Sequence, residues 1–438
     1  MTVDVRGSSA LLTDQYELTM LAAALRDGTA HKPCVFEVFA RRLPAGRRYG
    51  VVAGTARVLD ELSRFRFGPD ELAIAERFLD PDTLAWLADY RFTGEIDGYR
   101  EGELYFPGSP ILTVRASFAE GVLLETLFLS ILNHDSAIAS AAARMVSAAA
   151  GRPLIEMGTR RTHEQAAVAS ARAAYIAGFA TTSNMEAART YGVPSGGTAA
   201  HAFTLLHTGA DGPDEEGAFA AQVAAQGPGT TLLVDTYDIT EGVNRAVRAA
   251  GPGLGGVRID SGDLGIITRQ VRTQLDELGA TGTKIVVSGD LDEYAIGALR
   301  AEPIDVYGVG TSLVTGSGAP TAGMVYKLVE VDGLPVAKRS SHKETLGGEK
   351  RAVRLAKSTG TIVEEVLYPR GGTPAVPARL TPTELQIPMV RGGTEVDGLP
   401  GLEDARAHLR TALVSLPWEG LGLSHGEPAV PTRYEANS

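Results

Sequence analysis

Between residues 153 and 309 the chain repeats one device six times: a short, nearly unbroken apolar run ending in a polar or glycine-bearing turn. The runs cover residues 154–157, 176–180, 232–234, 257–259, 285–287 and 306–309. Successive runs stand far enough apart for a helix or a long loop between them. A strand covered on both faces must be apolar on both, so it reads as a continuous run rather than an alternation. Such strands pair in parallel and need crossovers of helix length. The stretch is therefore expected to be α/β. In an α/β barrel the carboxyl ends of the strands converge on one face, where active sites lie. A doubly wound open sheet is the alternative, and it too binds ligands at carboxyl strand ends. A barrel is the expectation, and under either fold the same turns form the site.

The flanking segments lack this rhythm. Residues 35–39, 111–114 and 327–331 read as strands. Leu72, Ile74, Ala75, Phe78 and Leu79 give residues 71–87 a helical spacing. A long helix is expected from about Ala119, where Val122, Leu123, Leu127, Phe128, Ile131 and Leu132 recur every three to four residues. Residues 338–351 read as a basic, glycine-containing loop, residues 371–377 are rich in Pro and Gly, and residues 406–415 suit a helix.

Composition narrows the function classes. A chain of 438 residues exceeds one ordinary core, and 44% hydrophobic with 21% charged residues describes a folded protein. A formal net charge of −12 argues against nucleic acid as a partner, which requires a basic face. Small anions remain open, because a local field can oppose the overall charge. The single cysteine, Cys34, excludes an internal disulfide framework and a cysteine-based zinc site, so a reducing, cytoplasmic compartment is expected. The first residues lack the basic-then-apolar order of a signal peptide. The apolar residues 137–151 are interrupted by Ser and Arg and fall short of a membrane span.

The turns carry the chemistry. After the run at 257–259 come Asp260, Ser261, Gly262 and Asp263, with Arg258 just before. A carboxylate there can accept the hydrogen bonds of a ribose diol or hold Mg²⁺, and an arginine can clamp a phosphate or carboxylate. The alternative is that these residues only cap a helix. Asp235 and Asp238 pose the same choice, and Asp290 extends an acidic rim. Gly289, Gly308 and Gly310 lie in turns whose N–H groups can cradle a phosphate, where barrels often place one. Among eight histidines, His201 alone follows a glycine-rich turn, residues 194–200; it can serve as acid, base or nucleophile, or be a satisfied structural histidine. His342 and three others read as surface loops or termini. Of Arg160 and Arg161, one is expected to point inward at an anion.

Taken in order, these segments resemble the nicotinate phosphoribosyltransferases. The elements are Leu12-Thr-Asp-Gln-Tyr16, Glu156-Met-Gly-Thr-Arg-Arg161, Thr182-Ser-Asn184, Gly197-Thr-Ala-Ala-His201 and Val234-Asp-Thr-Tyr-Asp238. Arg258-Ile-Asp-Ser-Gly-Asp263, Ser288-Gly-Asp290, Tyr307-Gly-Val-Gly-Thr311 and Tyr326-Lys-Leu-Val329 continue the series. Residues 338–350 resemble the family's Lys-rich loop, with Leu-Gly-Gly where a Pro-Gly turn is usual.

The resemblance implies an irregular α/β barrel of the type II phosphoribosyltransferase kind, with a smaller α+β domain formed by both chain ends. Residues 1–118 and 326–438 would make the smaller domain and residues 119–325 the barrel. It implies ATP-coupled synthesis of nicotinate mononucleotide and pyrophosphate from nicotinate and 5-phosphoribosyl 1-pyrophosphate, a step of NAD biosynthesis, with Mg²⁺ as cofactor. It implies a homodimer with shared active sites, Asp14 and Tyr16 reaching the partner's, and Tyr16 stacking on the pyridine ring. Arg258 would face the nicotinate carboxylate or the ribose phosphate, with Arg160 helping, and Met157, Gly158, Thr182 and Thr198 would border the substrates. The related nicotinamide enzyme has an acid where Ser183 stands; an uncharged Ser avoids repelling a carboxylate. His201 would be the histidine phosphorylated by ATP. Asp235, Asp260, Asp263 and Asp290 would hold ribose hydroxyls and pyrophosphate, with Asp260 and Asp290 on the metal. Gly289, Gly308, Gly310 and Thr311 would take the 5-phosphate. The alternatives are nicotinamide or quinolinate as the base, or a non-catalytic nucleotide-binding regulator on the same scaffold. Intact His201 and Asp260–Asp263 speak against the last.

Overall fold

The computed structural model describes residues 7–338 and 346–436. The first six residues, part of the stretch read for a signal peptide, lie outside the described residues, as do residues 339–345 of the basic loop, His342 among them. The chain divides into two compact units, Ala141–Gly318 and a second made of Met1–Ser140 with Ala319–Ser438. The expected boundaries stood at 118/119 and 325/326. The first observed one falls later, inside the helix Glu125–Ala149.

Unit Ala141–Gly318 is built on six parallel strands: β1 (Leu154–Glu156), β2 (Thr181–Thr182), β3 (Thr231–Leu233), β4 (Gly256–Ile259), β5 (Lys284–Val287) and β6 (Val306–Val309). Their order is β3-β4-β5-β6-β1-β2. The last strand pairs with the first, Gly308 opposite Ile155, and every other neighbour is sequential. That is the cyclic order of a barrel rather than of a doubly wound sheet. The ring stays open between β2 and β3, so the sheet is a half-barrel. Leu232, Val257, Ile259, Ile285, Val287 and Val309 are all buried, as continuous apolar runs require.

One run was misassigned. Residues 176–180 were expected to be a strand, but Ile176 and Ala177 end the helix Glu164–Ala177. Gly178, at φ +117°, closes that helix with its N–H on Ala174 O, and the strand is only β2. A short apolar run on a buried helix face cannot be told from a buried strand by periodicity.

The second unit carries a seven-stranded antiparallel sheet to which both chain ends contribute. Pro33–Ala40 lies between Met324–Val331 and Leu112–Ser117, and Glu95–Tyr99 between Leu112–Ser117 and Gln386–Arg391. A four-stranded sheet centres on Lys350–Ala356 and Ile362–Pro369. Two expected helices are each broken. Residues 71–87 form Pro69–Ala75 and Pro81–Ala88, because Pro81 has no N–H to continue a ladder and Asp80 caps the second piece, accepting from Asp82 and Thr83. The helix expected from Ala119 is a short Phe118–Val122, capped by Ser117 with Glu120, before Glu125–Ala149 begins. Leu79 in the first break and Leu123 and Leu124 in the second are buried, so the apolar spacing runs across both. Among the described residues no helix is long and apolar enough to cross a membrane.

Candidate functional site

The carboxyl ends of β3, β4 and β5 meet through side chains. Asp235, just past β3, has a side chain 1% exposed. Its Oδ2 accepts from the Asp260 N–H and the Ser261 hydroxyl, each at 2.8 Å. Its Oδ1 is buried and takes no hydrogen bond among the described residues; it stands 4.0 Å from His201 Nε2. His201 opens the helix His201–Leu206, with Nδ1 3.1 Å from the Thr236 hydroxyl and the side chain 41% exposed.

Arg258 is held on three sides. Nε donates to Ser288 Oγ at 2.8 Å, Nη1 to Thr198 Oγ1 at 3.2 Å and Nη2 to Asp260 Oδ1 at 3.1 Å. The Ser288 hydroxyl donates to the same Asp260 oxygen at 2.5 Å. One planar cation thus ties the glycine-rich loop before His201 to the ends of β4 and β5. Burial works against the Asp260 charge, yet the Ser288 hydroxyl and Arg258 outweigh it and hold the carboxyl below its ordinary range.

Of the other rim acids, Asp238 caps the helix Ile239–Ala250, accepting from the Glu241 N–H at 2.9 Å. Asp263 caps Leu264–Glu277, accepting from Ile266 at 3.2 Å. A cavity of about 430 Å³ is bordered by Asp260, Asp263, Gly289 and Asp290 and by the apolar Leu291 and Leu299. Gly289, at φ +127°, occupies a conformation that side-chain-bearing residues avoid.

The ends of β1, β2 and β6 form a second corner. Gly158 is packed so closely that a Cβ there would come 2.2 Å from Val314 Cγ1. Gly308 lies within its strand and makes room for Met157, whose Sδ would be 2.7 Å from a Cβ. Gly310 and Thr311 begin the short helix Thr311–Val314. Arg160 is exposed in the turn Thr159–Arg161. The Ser183 hydroxyl is 3.5 Å from that of Thr159, and Thr182 is buried beneath. Asp14 and Tyr16 belong to the other unit, where Thr126 Oγ1 donates to Asp14 at 3.2 Å and Tyr16 is 45% exposed at the start of Gln15–Asp27.

Three polar residues stand in the quoted motifs but were given no role there. Ser288 bridges Arg258 and Asp260, Thr236 meets His201, and Glu156 accepts hydrogen bonds from Gly158 and Thr182. Each stands beside a residue that was singled out. A hydroxyl or acid adjoining a charged strand-end residue is the signal that could have found them.

Residues 11–133 match the model of the nicotinate phosphoribosyltransferase N-terminal domain. The chain is 65% identical to a nicotinate phosphoribosyltransferase of Mycobacterium tuberculosis, over 98% of this chain and 96% of that one. It is 40% identical to the Bacillus subtilis nicotinate phosphoribosyltransferase over 80% of this chain and 73% of that one. Its fold matches the crystal structure of human nicotinic acid phosphoribosyltransferase with a TM-score of 0.84 at 26% identity, covering 97% of this chain and 98% of that one.

Proposed function

Since this chain belongs to the nicotinate phosphoribosyltransferase family and is a transferase of NAD biosynthesis, we propose that its strand-end rim joins nicotinate to phosphoribosyl pyrophosphate with ATP as co-substrate. The observation that carries this reading is the hydrogen-bonded set of Asp235, Arg258, Asp260 and Ser288 with His201 beside it. Attack of the pyridine nitrogen on ribose C1 forms the N–C bond as the C–O bond to pyrophosphate breaks. Positive charge gathers on the sugar, so the nitrogen needs no protein base. Asp235 and Asp260 would stand against that charge, prearranged rather than recruited. Arg258 would meet the anionic group of a substrate, and Ser183 would border the nicotinate carboxylate without repelling it. Gly289, Gly310 and Thr311 would receive the 5-phosphate; Gly308, read in the sequence as part of that cradle, is instead buried within β6, where its missing side chain makes room for Met157.

Asp260 and Asp290 would hold Mg²⁺. The donors suit it: both are hard carboxylates on one cavity. No cluster of three or more ligating side chains gathers among those residues, which suits an ion that keeps phosphate and water in its shell. When bound, it would neutralise pyrophosphate charge. His201, half exposed and oriented through Thr236, would accept a phosphoryl group from ATP. We further place the protein in the cytoplasm as a homodimer, with Asp14 and Tyr16 serving the partner's site. A single buried cysteine supports the reducing compartment.

The test is purified protein with Mg²⁺, ATP, phosphoribosyl pyrophosphate and either nicotinate, nicotinamide or quinolinate. Nicotinate mononucleotide is expected from the first alone. Folded protein that makes none sinks the reading.

A further inference from the structure

We propose that Glu156 is a positioning residue for the pyridine-acid corner, clasping the two loops that carry Arg160 and Ser183; the inference rests on the nicotinate reading above. Glu156 ends β1 with only 1% of its surface exposed. One carboxylate oxygen accepts the Gly158 N–H at 2.5 Å. The other accepts the Thr182 hydroxyl, which itself accepts the Asn184 N–H at 2.9 Å. The Glu156 carbonyl takes the Ser183 N–H at 2.8 Å. From beneath, a single side chain thus fixes the first turn after β1 and the first turn after β2. Above it the same loops meet again, with Thr159 Oγ1 3.5 Å from Ser183 Oγ and 3.3 Å from Asn184 Nδ2.

A carboxylate is a costly choice here. Burial pushes it up from its ordinary range, against the help of Thr182 and Gly158, and it lies under a corner assigned to an anion. An apolar residue would fill the space but leave the Gly158 N–H and the Thr182 hydroxyl buried without acceptors. A Cβ at Gly158 would come 2.2 Å from Val314 Cγ1, 3.0 Å from Gly310 O and 3.1 Å from Glu156 Oε1, so the turn that presents its N–H is closely packed. Glu156 therefore sets where Arg160 and Ser183 stand without touching substrate. The side of the phosphoribosyl site built on Arg258, Asp260 and Ser288 has its own hydrogen bonds. Only Gly310 and Thr311, assigned to the 5-phosphate, adjoin the Gly158 turn, so the KM for phosphoribosyl pyrophosphate is expected to move far less than that for nicotinate.

That separation makes the role testable as a split in Michaelis constants. Glu156→Ala is expected to raise the KM for nicotinate about tenfold, while the KM for phosphoribosyl pyrophosphate and kcat stay within about twofold. Glu156→Gln keeps an acceptor for Gly158 and should recover part of the loss. Equal shifts in both KM values, or a lowered Tm with wild-type kinetics, would overturn the clasp. If Glu156→Ala does not fold, Glu156→Gln, which keeps one acceptor and loses the other, decides by the same ratio at a smaller shift. Wild-type protein that turns over no nicotinate overturns the underlying reading before any variant is compared; active wild type with unshifted variants overturns the clasp alone.

Discussion

His201 is oriented yet reachable: Thr236 meets one ring nitrogen, Asp235 Oδ1 approaches the other, and the ring stays 41% exposed. A structural histidine would be closed in. His201→Ala is therefore expected to abolish the ATP-dependent enhancement of nicotinate mononucleotide synthesis while leaving slow synthesis without ATP. Rates measured with and without ATP decide it, and an unchanged ATP effect removes the assigned role. Arg258 and Asp260 could be singled out in the sequence because a cation and an acid together at the end of an apolar strand offer more than the helix cap that an acid alone supplies. Ser288 was not, because a serine at a strand end is as often a turn residue. Its value comes from donating to Asp260 while accepting from Arg258, a pairing across 30 residues of chain that spacing alone does not reveal.

Among elements, the turn after β3 shows how two aspartates three positions apart divide their work. Asp238 satisfies the Glu241 N–H at the head of the helix Ile239–Ala250, whereas Asp235 binds the next strand end through one oxygen and turns the other toward His201 at 4.0 Å. Asp238→Ala should lower stability by about 1 kcal/mol, as loss of a helix cap does, with turnover close to wild type. Asp235→Asn should reduce kcat at least about a hundredfold, since only the carboxylate opposes charge on the sugar. Denaturation and initial rates on the two proteins check this, and equal turnover in both sinks the division. The capping and functional alternatives were both open in the sequence; the structure makes Asp238 a cap and leaves Asp235 without that duty, which is why the site role is proposed for Asp235. Five of the six barrel strands were legible because a strand buried on both faces is written as a continuous run. The sixth, β2, has two residues and hides behind a helix end that mimics it.

At the scale of the whole chain, both ends fold together around a buried ionic set. Arg354 pairs with Glu103 and donates to Glu365 at 2.7 Å, while His408 Nε2 is 2.7 Å from Glu103. Burial opposes the Glu103 charge, but Arg354 and His408 prevail and bring it down from 4.5 to about 2. A carboxyl depressed in the folded state lends stability above its unfolded value, and that stability is lost as pH falls toward the folded one. The difference in urea midpoint between wild type and Glu103→Gln should thus shrink from pH 4.5 to pH 2; a constant difference would exclude the linkage. The proposed dimer makes a prediction of its own. Tyr16 is exposed beside Leu12 and Met20, and Glu17 anchors its segment by accepting the Thr126 N–H at 2.9 Å. Partial burial, then Glu125 and Glu17, push its phenol up to about 12, so it meets a pyridine acid uncharged. If Tyr16 serves the partner, a dimer of one Tyr16→Ala and one His201→Ala subunit holds one intact site and one doubly damaged site. Random exchange makes half the dimers mixed, so about a quarter of the ATP-coupled activity should return when the two impaired proteins are unfolded and refolded together. If Tyr16 serves its own subunit, every site in the mixed dimer carries one lesion, and mixing restores nothing.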